Sequence, residues 1–148
     1  MKKYLLVFVL TVLGVGFSGC EITENYGTQM EIVEITVDSR DWRIEYDGDT
    51  PYFVCDKSAP EIDNTIFRRG SVMAYVYVRP GEQSEGLTPL PYPLEFLEVS
   101  PGGDHAWTET ISWEYRPGYV TFYVQYSDFA ISEDFRPGTK YFRLVLNW

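Results

Sequence analysis

Apolar and polar residues alternate with a period of two in one run after another downstream of residue 30. Val33, Ile35 and Val37 alternate with Glu34 and Thr36, and Trp42, Ile44 and Tyr46 alternate with Arg43 and Glu45. That period gives an extended strand one apolar and one polar face. The strongest runs are SVMAYVYVR at 71–79, HAWTETISWEY at 105–115, YVTFYVQY at 119–126 and KYFRLVLNW at 140–148. Turn-forming residues separate them. The Asp-Gly of YDGDTP at 46–51 predicts a hairpin, and Arg-Pro-Gly recurs at 79–81, 116–118 and 136–138, each time beside a strand run. Proline presets a negative φ and glycine accepts a positive one, so Pro-Gly fits the centre of a type II turn. Asp47 and Asp49 would supply half of a calcium loop, but the remainder of that pattern, including its terminal glutamate, is missing. Turn chemistry accounts for them, and no metal is expected.

One segment departs from the strand period. SAPEIDNTIFRRG at 58–70 predicts a short helical turn near residues 60–69: Ser58 and Glu61 fit a capping box, Ile62 and Ile66 share a face, and Gly70 suits a left-handed terminal conformation. The stretch PGEQSEGLTPLPYP at 80–93 reads as a long connection. It is either a crossover pinned by Pro89, Pro91 and Pro93 or a binding loop presenting Tyr92.

Strand parity assigns faces. Trp107, Ile111, Trp113 and Tyr115 fall on one side of their run, and Phe142, Leu144, Leu146 and Trp148 on one side of the last, which predicts an aromatic-rich core. In 71–79, Val72, Ala74, Val76 and Val78 share a face opposite Tyr75 and Tyr77; in 119–126, Val120, Phe122 and Val124 lie opposite Tyr119 and Tyr123. If both runs belong to one sheet, Tyr75, Tyr77, Tyr119 and Tyr123 form an outward platform able to stack sugar rings or a partner's surface. The same tyrosines also suit plain cross-strand pairing. The expected fold is an all-β, two-sheet, immunoglobulin-like antiparallel sandwich of about seven to eight strands, formed by residues 30–148 as a single domain.

The first residues have another character. Met1, Lys2 and Lys3 precede the apolar run YLLVFVLTVLGVGF, which stops at Ser18 and Gly19. A positive start, an apolar stretch and a small-residue processing site make residues 1–19 a signal peptide, and the run falls short of the ~20 apolar residues of a spanning helix. Phe17, Ser18, Gly19 and Cys20 resemble the lipobox of bacterial lipoproteins. The resemblance implies acylation of Cys20 and removal of everything before it. Acyl chains contribute ~0.8 kcal/mol per buried CH₂, enough in combination to hold a protein to a bilayer without a spanning helix. Residues 20–29 are then the acylated cysteine and a short polar tether. Glu21 and Glu24 resemble the acidic export signals of surface lipoproteins in Bacteroidota, which favours display at the cell surface over the periplasmic face of the outer membrane.

Composition narrows the partners. The formal charge is −10, and loss of Lys2 and Lys3 with the leader deepens it, so neither nucleic acid nor an anionic lipid surface is an expected partner. The acidity is concentrated in residues 21–63, where the basic residues are Arg40, Arg43 and Lys57. With Cys20 acylated, Cys55 has no cysteine to pair with; its apolar setting, YFVCD, predicts a buried thiol. The single histidine, His105, follows Asp104 beside a glycine turn and reads as structural. No nucleophile elbow, phosphate loop, zinc ligand set or dinucleotide fingerprint is present, so neither a catalytic residue nor a cofactor is expected.

Four further stretches carry a wider likeness. APEI at 59–62, RGSVMAYV at 69–76, PLPY at 89–92 and FRLVL at 142–146 resemble, in order and spacing, a group of small uncharacterised lipoproteins common in Bacteroidota. The resemblance implies an envelope location and a β-rich domain. The functional expectation is a lipid-anchored, non-catalytic protein that binds or scaffolds an envelope protein at the outer membrane, with the terminal strand as a candidate docking edge. The alternative is a glycan-binding accessory lipoprotein using the tyrosine face.

Overall fold

The alternation in the sequence decides what is buried. In a computed structural model describing residues 27–128, 131 and 135–148, the chain forms β1 (Met30–Val37), a 3-10 turn (Ser39–Asp41), β2 (Arg43–Asp47), β3 (Thr50–Ala59), α1 (Asn64–Arg69), β4 (Ser71–Val78), β5 (Gly86–Pro89), β6 (Tyr92–Glu98), β7 (His105–Arg116), β8 (Gly118–Tyr126) and β9 (Lys140–Asn147). The expected signal peptide, Cys20 as the expected acylation site and most of the expected tether lie outside the described residues.

The strands make two antiparallel sheets, a four-stranded one in the order β1-β9-β4-β5 and a five-stranded one in the order β2-β3-β8-β7-β6. This is the two-sheet sandwich that the runs predict, with nine strands among the described residues instead of seven or eight. Its strand order puts the first strand beside the last, Met30 opposite Asn147. The terminal strand β9 is therefore interior, between β1 and β4, and is not the docking edge expected from the sequence. The strands that no run in the sequence predicts come from 80–93 and its flank: β5 and β6 form an edge of each sheet, with Leu90 and Pro91 at the crossover between them. Their prolines and half-exposed faces hide the strand period.

Ile35 and Val37 of β1, Val72, Ala74 and Val76 of β4, and Phe142, Leu144 and Leu146 of β9 pack against Phe53 and Cys55 of β3, Ile111 of β7, and Val120, Phe122 and Val124 of β8. Phe122 and Phe142 stack across the sandwich with centroids 3.8 Å apart. Burial of each large side chain contributes about 1.5–3 kcal/mol, so this one cluster dominates the stability. Trp42 is buried where the chain leaves one sheet for the other. Trp113 and Tyr115 are half-buried and pack against this cluster, as expected. Trp107, half-buried, and Trp148, 38% exposed, were also expected in the core and lie outside it, Trp148 past the end of β9.

The helical turn starts later than the capping-box pattern predicts. Ser58 and Ala59 remain in β3, paired with Tyr119 and Gly118, because ladder hydrogen bonds satisfy their backbone and an early helix start would abandon them. Asp63 is the cap, its Oδ1 accepting from the Ile66 N–H at 2.8 Å. Ile62 and Ile66 are buried as expected. Gly70 is extended, not left-handed, and is required for another reason: a Cβ there would lie 2.5 Å from the Asn147 carbonyl oxygen. At the β7–β8 hairpin, Gly118 has φ of +82°, the type II geometry expected of Pro117-Gly118.

Candidate functional site

The five tyrosines of the predicted site are not brought together. Tyr75 and Tyr77 leave β4 on the outer side of the four-stranded sheet, whereas Tyr119 and Tyr123 leave β8 on the outer side of the five-stranded sheet. Outward from two packed sheets means opposite directions, so no single platform forms. Tyr92, opposite Ile111, packs against the core and faces inward. On the five-stranded side, Tyr119 lies under the Arg116 guanidinium at 5.2 Å, and Tyr123 packs on Tyr52 at 5.9 Å. Burial first, then the hydrogen bond and charge of Glu114, pushes the Tyr123 phenol well up.

The outer side of the four-stranded sheet carries a clearer arrangement, built from cross-strand rows over β1, β9 and β4. Glu34, Arg143 and Tyr75 form one row, and Ile32, Val145 and Met73 the next. The first is polar and closed on itself. Arg143 donates from Nε to Glu34 Oε1 at 2.7 Å, Tyr77 donates to the same oxygen at 3.1 Å, and the guanidinium lies 5.4 Å from the Tyr77 ring centroid. Burial, then the Glu34 hydrogen bond, raises the Tyr77 pKa. Beyond it, Glu34, Thr36, Tyr77, Pro80, Glu85 and Tyr141 border a hollow of about 450 Å³. The second row is apolar: Ile32 is 49% and Met73 47% exposed, and Met30, on the same side of β1, is 63% exposed. Among the described residues, β1 pairs only with β9, so its other edge is free.

A second feature lies at one end of the five-stranded sheet. Along β7 the inward positions pass from Ile111, fully buried, through Glu109 to half-buried Trp107 and exposed His105. Phe96 of β6 sits directly opposite Trp107, and Glu98 opposite His105. The Phe96 and Trp107 rings are stacked at 5.3 Å, and His105 and Trp107 at 5.4 Å. His105 Nε2 is 2.9 Å from Asp128 Oδ2. Phe135 and Arg136 complete a cleft of about 470 Å³. Behind the rings Glu109, 5% exposed, accepts from Lys140 Nζ at 2.7 Å and from the Tyr126 hydroxyl at 3.1 Å. Burial and then the Glu109 charge push the Tyr126 phenol up. The sequence reading passed over Glu109 and Lys140, although both stand at inward parity, which is the one signal that marks them.

The remaining chemistry is sparse. Cys55 is buried, and burial raises its thiol pKa, with Lys57 opposing. No helix among the described residues is long and apolar enough to cross a membrane. No family model matches this chain, and neither a curated protein nor a solved structure is found to be similar to it.

Proposed function

We propose that this chain is a lipid-anchored, non-catalytic envelope protein that docks a protein partner on the outer side of its four-stranded sheet. The observation that carries the reading is the apolar row Ile32–Val145–Met73, with Ile32 and Met73 exposed and Val145 half-buried between them, extended by exposed Met30. Apolar side chains gathered on one face, rimmed by a polar row, are the usual composition of a protein-docking surface. The free edge of β1 offers backbone donors and acceptors beside that face for strand addition. The tether supports the same placement. Met30 lies ten residues after Cys20, and each residue spans at most ~3.6 Å, so an acylated Cys20 keeps this end of β1 near the bilayer and near membrane-embedded partners.

The experiment is cross-linking and co-purification of the tagged full-length protein from native membranes in mild detergent, with a Cys20→Ala form as the unanchored control. A stoichiometric envelope protein, lost in both Cys20→Ala and Met73→Glu, is the expected result. Recovery of the protein alone from cross-linked membranes would refute the docking reading.

A further inference from the structure

We propose a second binding site, independent of the sheet-face reading, in the cleft between β6, β7 and the Phe135–Lys140 segment: a site for a neutral sugar ring. Its floor is the stack of Phe96, Trp107 and His105, whose end members keep accessible ring surface. Its rim carries both signs of charge, the carboxylates of Glu98 and Asp128 and the guanidinium of Arg136.

The chemistry of that lining selects the ligand. An anion would face Glu98 and Asp128, and a cation would face Arg136. A wholly apolar ligand would strip water from these charges without replacing its hydrogen bonds, which is costly. A sugar ring meets both requirements: its C–H face lies on an aromatic surface, and its hydroxyls donate to carboxylates and accept from a guanidinium. The cleft volume, about 470 Å³, falls within the ~300–1,000 Å³ of small-molecule sites.

The test titrates the full-length protein, in a detergent without a sugar headgroup, with a panel of neutral disaccharides alongside glucuronic acid and glucosamine, reading tryptophan fluorescence and heat. Saturable binding of at least one neutral disaccharide is expected, weakened about tenfold, or about 1.4 kcal/mol, by Phe96→Leu and by Glu98→Gln, and unchanged in Met73→Glu. Phe96→Leu keeps an apolar side chain in the floor, so a melting temperature equal to wild type separates loss of the ring from loss of the fold. Absence of binding across the neutral panel, tighter binding of either charged sugar, or undiminished affinity in folded Phe96→Leu would overturn the proposal.

Discussion

Lys140 of β9 and Glu109 of β7 form a 2.7 Å ion pair that joins the two sheets at one end of the sandwich, with their side chains 17% and 7% exposed. Neither charge has much water to fall back on. Glu109→Ala leaves Lys140 buried without its partner and should cost about 3–5 kcal/mol, while the double change Glu109→Leu with Lys140→Met should restore most of that loss. Urea denaturation of the three proteins checks it; a single mutant as stable as wild type would show the pair to be solvated.

The apolar row on the four-stranded sheet makes the opposite prediction. Ile32→Glu and Met73→Glu alter exposed side chains and should change stability by no more than about 0.5 kcal/mol, yet each should abolish partner recovery from membranes. Thermal melts and quantitative co-purification, run on the same preparations, separate the two effects.

Two glycines are predicted to fail for different reasons. Gly70→Ala places a methyl against the Asn147 carbonyl, which lies 2.5 Å from the ideal Cβ position, and overpacking of that kind costs roughly 1–3 kcal/mol. Gly118→Ala meets open space but must hold φ at +82°, a cost of about 1–2 kcal/mol. Only at Gly118 should asparagine, which tolerates the left-handed region, recover part of the loss.

Stability should fall at both extremes of pH. Hydrogen bonds from Thr121 and then Arg43 hold the Asp56 carboxyl below its ordinary 3.8. A lowered folded-state pKa contributes stability that is complete above 3.8 and is lost as pH falls through the folded value, so Asp56→Asn should flatten the acid limb below about pH 4. Tyr126 is shifted upward from 10.0 by burial and by Glu109; its contribution is complete below pH 10 and is lost above it. Tyr126→Phe should flatten the alkaline limb. Unfolding free energies measured across the range decide both.

Thiol counting tests the anchor. Protein taken from membranes should show no reactive thiol when native, because Cys55 is buried and its pKa is raised. In denaturant it should show a single thiol, that of Cys55, since an acylated Cys20 has none to offer. A second thiol in denaturant would mean that Cys20 is unmodified.

What could be read along the chain was whatever depends on near neighbours. The period of two placed Val72, Ala74 and Val76 inward and Tyr75 and Tyr77 outward, because successive side chains of a strand must point to opposite faces. Pro117 and Gly118 announced their hairpin through their own backbone preferences. Which strands share a sheet is another matter, since Met30 meets Asn147 and Glu34 meets Arg143 only after the whole chain has closed. Identical parity in β4 and β8 therefore suggested one tyrosine face where the fold makes two opposed ones. Glu109 shares the inward parity of Trp107 and Ile111, and only the arrival of Lys140 from the other sheet makes its burial tolerable. The tertiary structure decided the apolar row, the free β1 edge and the aromatic cleft for one physical reason: strand pairing is a long-range choice, settled by total burial and hydrogen bonding, and no local run of residues encodes its partner.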